Sequence, residues 1–502
     1  MRILLAQAVS PIVNTSPPLG LGYLGAMLEE KGHEVLILDG GAPYAQFTTE
    51  SMADEIAAWR PDLVGLTLTV SFATHTYRLI SQIKRRIDVP VLVGGPHATI
   101  LPEEPLRFGA DLVLRGEGEF GILEIVDHLS GDRRANEIEG LSYIGSDGEP
   151  IHNPLRPLID DLNVIPFPAK HLFVKEHYYR ERDDSARFGN IITSRGCPFA
   201  CTYCCNLTFG RWWRARSPRN VVDEIKELME RYGTEKFNWV DDAATINQRR
   251  MMEICQLIID EKLDISWTCI TRLNAVSEEL LKMMRRAGCV GITYGIESGN
   301  PETLKRIKKG ITVEQAERAV RLTHEVGIEC SVNFMYGFPW ETPRDIRVTT
   351  EFIRRIRPYV TYIQPGGVLT PFPATQIYEE YKDRYGFEGW WLREHDLSSI
   401  RTETDEPLFQ RVFFDYYSLE QNWFDYPPEV VREIERAATV VGRHNLLYHA
   451  GKLTSNRFLR GLIREGIYLL VLLSRALYRF SPDLSRRLSK PIMRFAERYH
   501  GK

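Results

Sequence analysis

At 502 residues, 43% hydrophobic and 26% charged, the chain has a globular composition and is long enough for two or three cores, which excludes a disordered or fibrous polymer. Eight cysteines are too few and too unevenly spread for a disulfide framework, so reduced thiols in a cytoplasmic setting are expected. The net charge of -4 hides an asymmetry: residues 451–502 hold twelve Lys or Arg against three acids, a local +9 that leaves -13 elsewhere.

The opening MRILLAQAVS reads as a buried first strand and lacks the cleavage site of an export signal. Apolar runs RILLAQ, EVLILDG, LVGLTLT, VPVLVGG and DLVLRGEGE then alternate with helical patterns near Leu21–Lys31, Met52–Trp59 and Tyr77–Arg86. Such spacing predicts an open, doubly wound parallel sheet over residues 1–145, with ligands at the carboxyl edge of its strands. The loops SPPLGLGYLG, TVSFATHTY, GGPHAT and RGEGE all follow strands. Each alone is ordinary turn chemistry. Four on one edge, rich in glycines that let backbone approach a ligand, outline a site for something large. A dinucleotide or flavin site is the rival, since Gly20, Gly22 and Gly25 form a GxGxxG match and Asp39 ends the second strand. Two prolines precede that match, and its residues fit a helix already under way.

Residues 146–188 are rich in proline and aromatics (NPLRPLIDDLNVIPFPAKHLF) and read as a wrapping linker. A second strand–helix series fills residues 189–385: NIITSRG, KFNWVDD, ISWTCITR, VGITYGIESG, CSVNFMYGFPWET and YIQPGGVLTPFPAT, with helices between them. Six units predict a partial (β/α)6 barrel with its site at the strand ends, where Asp241, Asp242, Arg272, Glu297, Ser298, Glu341 and Thr342 stand. Residues 386–502 read as an aromatic cap and a mainly helical, basic tail.

Cys197, Cys201 and Cys204 form CxxxCxxC directly after the first strand of that series. Three thiolates on one loop can hold three irons of a 4Fe-4S cluster and leave the fourth open to another ligand. Zinc would require a fourth Cys or His at ligand spacing. Cys205 is awkward for that, being adjacent to Cys204, and His171 and His177 lie upstream. A Cys201–Cys204 dithiol would leave Cys197 unexplained.

The CxxxCxxC loop at the start of such a barrel resembles the radical S-adenosylmethionine enzymes. The resemblance implies that the open iron binds S-adenosylmethionine and that reductive cleavage yields a deoxyadenosyl radical. It places Tyr203 near the adenine, Glu297 of GIESG at the ribose hydroxyls, Arg272 and Asp242 at the methionine carboxylate and ammonium, and Ser298 among the S-adenosylmethionine contacts. The usual Gly-Gly-Glu after the second strand is replaced by Val240-Asp241-Asp242. The first domain resembles the cobalamin-binding members of that group over residues 1–385 together. That implies cobalamin contacts at Leu19, Gly20, Thr69, Ser71, Phe72, Gly94, Gly95, Pro96, His97, Gly116, Glu117, Gly118 and Glu119. No Asp-x-His-x-x-Gly is present to supply a lower-face histidine, so Phe72 or Ser71 is expected at that face.

The function implied is methylation of an unactivated carbon of a small-molecule or lipid-like substrate, with flavodoxin or ferredoxin as reductant and no nucleic acid. A non-methylating cyclase or rearrangement enzyme, and a cobalamin and iron-sulfur redox sensor, are the alternatives. In the tail, Arg457, Arg460, Arg464, Arg475 and Arg479 flank an apolar stripe whose longest uncharged run, Ile467 to Leu473, is too short to span a bilayer. It reads as a helix either docked on the barrel or lying on an anionic membrane.

Overall fold

The structure is a computed structural model that describes residues 1–9, 16–178, 188–364, 367–393 and 422–453. The basic tail beyond 453, with all five arginines of its stripe, lies outside the described residues. By internal contacts the chain divides into two compact units, one built from Met1–Pro198, Cys205–Asp242 and a short stretch from Gly389, the other from Phe199–Cys204, Ala243–Glu388 and later residues.

The first unit opens with β1 (Arg2–Gln7), α1 (Leu19–Glu30), β2 (Glu34–Asp39), α2 (Thr49–Trp59), β3 (Leu63–Thr67), α3 (Ala73–Lys84) and β4 (Val91–Gly94). It continues through α4 (Pro96–Ile100), α5 (Glu103–Arg107), β5 (Leu112–Leu114), α6 (Glu119–Leu129), β6 (Leu141–Ile144) and β7 (Pro150–His152). The sheet order is β2-β1-β3-β4-β5-β6-β7, the first five strands parallel and the last two antiparallel. Central strands of a parallel sheet are covered on both faces and so must be apolar throughout. Ile3, Leu4, Leu5 and Ala6 of β1 are accordingly all buried. Order reverses between β1 and β3, the switch point at which such sheets bind ligands.

Two features depart from the sequence expectation here. The β6–β7 hairpin carries the sheet past residue 145 to His152, so pairing does not stop at the expected boundary. GGPHAT is not all loop: Pro96, whose fixed φ suits a first helical turn, starts α4 and makes His97 helical.

After the proline-rich stretch come β8 (Asn190–Ile191), β9 (Ser194–Arg195), β10 (Arg214–Ala215), α7 (Pro218–Tyr232) and β11 (Lys236–Trp239). The expected single strand NIITSRG is broken in two. β8 runs parallel to β11, whereas β9 turns away to pair antiparallel with β10. The cause is Asp241, whose buried carboxylate takes the backbone N–H groups of Thr193 at 2.6 Å and Ser194 at 3.2 Å. Those amides are thereby lost to a sheet partner. The linker is anchored: buried Lys170 donates to the Phe188 and Asn190 carbonyl oxygens and to Asn190 Oδ1.

The second unit holds α8 (Gln248–Asp260), β12 (Ser266–Thr271), α9 (Glu278–Arg286), β13 (Cys289–Glu297), α10 (Pro301–Arg306), α11 (Val313–Glu325) and β14 (Glu329–Phe334). It ends with α12 (Pro343–Ile356), β15 (Tyr362–Gln364), α13 (Gln376–Tyr385) and α14 (Pro428–Leu453). β12 to β15 pair in succession, all parallel. Their helices are amphipathic and capped, with Thr312 and Thr342 in reciprocal capping boxes that satisfy first-turn amides. On α14, Asn445 bonds both backbone groups of Ile363 on β15. The expected α/β class, with a doubly wound first sheet, a barrel-type βα series and a helical C-terminal segment, is the architecture found.

Glu341 follows β14 as a buried acid, accepting from the N–H groups of Gly337 at 2.9 Å and Phe338 at 3.3 Å. Burial pushes its carboxyl up to about 8 despite those bonds. A folded-state value above the unfolded one favours the native state only while the group is protonated. Stability of the second unit should therefore fall as pH rises from about 4.5 through about 8. Denaturant midpoints measured across that range should lose much of the slope in Glu341→Gln; an unchanged slope would assign it to other groups.

Candidate active site

The first unit encloses a cavity of about 450 Å³ at the carboxyl ends of its strands. Its floor is Leu5 of β1, Gly65, Leu66 and Thr67 of β3, and Leu92 and Gly94 of β4. Its walls are Gly20, Tyr23 and Leu24 of α1, Gly95 and Pro96, and the run Gly116 to Glu119. Gly20 and Gly116 each face space in which a Cβ would meet nothing within 4 Å, and Gly116 has a φ of +82°. Side chains there would project into open volume, so the glycines keep a cradle for a bulky group. Gly95, at φ +101°, brings backbone against Leu68, where a Cβ would come within 2.9 Å of a carbonyl oxygen. One wall was not foreseen: Cys205, Asn206, Thr208, Phe209 and Gly210, from the cysteine loop, line the same cavity with Arg195 and Asp242.

Eight of the residues expected to contact a ligand line the cavity: Gly20, Gly94, Gly95, Pro96, Gly116, Glu117, Gly118 and Glu119. Five others are absent from that lining. Leu19 packs with Tyr23, Ile159, Leu162 and Ile165 in a small apolar core. Thr69, Ser71 and Phe72 form the turn that starts α3; Thr67, nearer the strand end, takes the lining position. His97 is buried with its Nε2 2.8 Å from Glu104 and its ring against Trp391. Glu104 also accepts from Tyr77 Oη at 2.6 Å and Trp391 Nε1 at 2.9 Å, which ties the imidazole into the scaffold.

Glu117 and Glu119 do more than line the cavity. Glu117 accepts from Arg195 at 2.9 Å, Arg214 at 2.7 Å and the Ile159 amide at 2.7 Å, while Glu119 accepts from Arg195 at 2.5 Å. All four side chains are 5% exposed or less by residue. Two carboxylates against two guanidiniums make the group neutral overall, and the fork geometry of Arg suits such pairing. Arg195 further lies over the rings of Tyr23 and Phe209. It therefore fixes the residue that immediately precedes Gly196 and the cysteines.

From Gly196 the loop carries Cys197, half-buried, Cys201, buried, Cys204, exposed, and Cys205, half-buried, none in a disulfide. Gly196 has a φ of +85° and sits against backbone oxygens of Trp212 and Phe209, a place only glycine can fill. Its N–H donates to Asp242 at 3.1 Å. Burial raises the Asp242 carboxyl above its usual range. Neighbouring Asp241 is spent on Thr193 and Ser194, so the two adjacent acids have different tasks. Asn206 donates to the Cys197 carbonyl at 3.2 Å. Among the described residues no three His, Cys, Asp or Glu side chains are gathered at metal-ligating distance.

In the second unit a Cys201–Cys204 turn is pinned by bonds between Thr202 and the backbones of Ile307 and Ile377. Arg272 lies 3.6 Å from the Phe199 ring, 3.7 Å from Cys201 Sγ, and donates to the Lys309 carbonyl. Glu297, at φ +72° on the bulge ending β13, pairs with Lys309 at 2.7 Å, and Lys309 reaches Tyr203 Oη at 3.0 Å. Tyr203, Arg272 and Glu297 are thus brought together, through a lysine that no motif announces. Ser298 bonds Thr349 Oγ1 and the Asn300 amide instead, which shapes the turn into α10.

A family model for the radical SAM superfamily matches residues 191–353, and one for the B12-binding domain matches residues 8–126. Over 390 residues the chain is 38% identical to an uncharacterized methyltransferase, PH0819, of Pyrococcus horikoshii, covering 76% of this chain and 83% of the relative. It is 28% identical to the anaerobic magnesium-protoporphyrin IX monomethyl ester cyclase of Rubrivivax gelatinosus, covering 86% of this chain and 78% of the relative. The solved structure of TsrM from Kitasatospora setae, a radical S-adenosylmethionine methyltransferase with cobalamin and a 4Fe-4S cluster bound, has the same fold. It covers 77% of this chain and 75% of that one at TM-score 0.64 and 23% identity.

The ion quartet yields a stability prediction. Glu117→Ala leaves two guanidiniums buried without their shared partner, a loss of about 3–5 kcal/mol for breaking such a pair. Urea unfolding should register it, with Glu253→Ala at the exposed Arg249 pair within about 1 kcal/mol of wild type. Equal effects would mean that the quartet carries no special weight.

Proposed function

Because the chain belongs to the cobalamin-binding radical S-adenosylmethionine enzymes, whose cofactors are a 4Fe-4S cluster, S-adenosylmethionine and cobalamin, we propose that it methylates an unactivated carbon of a small-molecule or lipid-like substrate. The observation that carries this reading is that one loop supplies both the CxxxCxxC thiols and a wall of the glycine-lined cavity. The most similar of the reported relatives is itself named a methyltransferase.

When bound, the cluster with S-adenosylmethionine supplies a hydrogen-abstracting radical and cobalamin supplies a methyl carrier. Cys197, Cys201 and Cys204 would bind iron as thiolates, with the Arg272 guanidinium beside Cys201. Tyr203 and Glu297 would hold the adenosine, with Lys309 fixing the Glu297 carboxylate through its bond at 2.7 Å. Ser298 would act there through backbone shape, since its hydroxyl is engaged. Asp242, whose carboxyl burial raises above its usual range, would be stabilised as an anion by an ammonium group beside it. Gly20, Gly94, Gly95, Gly116 and Gly118 would admit the corrin, and Thr67, which lines the same cavity, would be a further contact beside the expected Ser71 or Phe72.

We take residues 1–145 as the cobalamin domain, with the β7 strand to His152 completing its sheet, the rest of 146–188 as its linker, 189–385 as the radical domain and 386–502 as cap and tail. Flavodoxin or ferredoxin would deliver electrons, and the basic tail would meet an anionic membrane surface if the substrate is lipid-like. A second reading, ring closure without methylation, draws on the cyclase relatives.

Reconstitution with iron and sulfide should load about four irons. Cys197→Ala, Cys201→Ala or Cys204→Ala should abolish that loading and Cys205→Ala should keep most of it; equal loss from Cys205 would overturn the ligand assignment. With hydroxocobalamin, reductant and S-adenosylmethionine, mass spectrometry should then detect both deoxyadenosine and S-adenosylhomocysteine. Deoxyadenosine alone would select the cyclase reading. Neither product, with both cofactors bound, would point to a redox sensor or to an enzyme that turns over only with its substrate present.

A further inference from the structure

We infer that Arg195 and Asn206 are positioning residues through which occupancy of the glycine-lined cavity is felt at Cys197; the inference rests on the assignment of that cavity to cobalamin. Both residues line the cavity. Both also hold the cysteine loop, one on each side of its first ligand. Arg195 stands two positions before Cys197, locked by Glu117 and Glu119, which line the same cavity. Asn206 stands after the last cysteine and donates to the Cys197 carbonyl at 3.2 Å. Between Arg195 and Cys197 lies only Gly196, whose N–H is held by Asp242 at 3.1 Å and where any side chain would run into the Trp212 and Phe209 carbonyl oxygens. A shift of the cavity wall thus has a short and stiff path to the sulfur.

The direction of the effect follows from packing. A ligand filling the cavity would press on Phe209, Arg195 and Asn206, while the bonds of Arg195 to Glu117 and Glu119 resist its displacement. The loop is then held by two surfaces instead of one, so its ligands are harder to displace. Coupling of this kind is reciprocal: if cofactor binding stabilises iron at the loop, iron at the loop tightens cofactor binding by the same factor.

The test uses the full chain with its cluster assembled, and hydroxocobalamin as the probe. Iron loss to an excess of a colorimetric chelator is timed with and without saturating hydroxocobalamin, and binding of the probe is followed separately by its absorbance. In wild type, hydroxocobalamin should slow iron loss by about fivefold or more, the lower end of usual coupling factors. In Asn206→Ala the protection should be largely lost while the probe still binds, and Asn206→Gln, which keeps a donor, should recover part of it. Arg195→Lys, which keeps the charge but not the fork, should weaken both protection and probe affinity by about tenfold, as supporting-residue changes at metal sites do.

Equal protection in wild type and Asn206→Ala would mean that the probe merely shields the cluster, and would overturn the inference with the cobalamin assignment intact. No protection in wild type, with the probe bound, would overturn it in the same way. No binding of the probe to wild type is a different failure, visible in the absorbance titration, and it would remove the cobalamin assignment and the inference together.

Discussion

The buried pairing of Glu117 and Glu119 with Arg195 and Arg214 is the constraint on which the first unit's site depends. Charges removed from water lose several kcal/mol of solvation each, and only close partners with satisfied remaining lone pairs return it. The quartet meets that condition, since Glu117 also takes the Ile159 amide and Arg214 the Ile159 and Phe209 carbonyls. Such an arrangement tolerates little displacement. It therefore fixes the register between the loop after β5 and the β9–β10 pair, and with it the start of the cysteine loop. The chain spends two acids of the RGEGE run on this task, and the glycines between and before them, Gly116 and Gly118, remain to shape the cavity.

The second unit solves a similar problem with fewer charges. Glu297 is held in a left-handed conformation that a non-glycine residue rarely adopts. Lys309 compensates, giving the carboxylate a partner at 2.7 Å while its own carbonyl takes the Arg272 guanidinium. Arg272 and Glu297 do not pair with each other, as two rim residues of opposite charge would by default. Each is held by Lys309 instead, one by its side chain and one by its backbone, so both keep polar atoms turned toward neighbours of the cysteine turn.

The fold was legible where periodicity was strong. Helix α7 runs from Pro218 to Tyr232 as its capping Ser217 and terminal Gly233 indicate, and the apolar strands of both series appear where their runs lie. NIITSRG misled because a run of β-formers does not reveal that a distant aspartate will take two of its amides. The glycine loops pointed to the cavity, since glycine bears directly on free volume. Arg195 was visible beside the thiols, but its partners lie 76 and 78 positions away and share no pattern with it. Lys309 was hidden for the same reason, twelve residues past Glu297 across a short helix. Motif reading finds residues that chemistry demands; the groups that hold them come from tertiary packing.

The exposure of Cys204 next to half-buried Cys205 gives the loop a chemistry of its own before any iron is inserted. An accessible thiol with another thiol adjacent is open to sulfenic acid formation and then to condensation with a neighbouring sulfur. Cys201, buried with the Arg272 guanidinium 3.7 Å from its sulfur, is shielded from solvent. Oxygen would thus consume the outer thiol first, and the damage would be a covalent scar on the loop rather than loss of a cluster. Assembly of the working protein becomes a race between iron delivery and air, decided at a single solvent-facing sulfur.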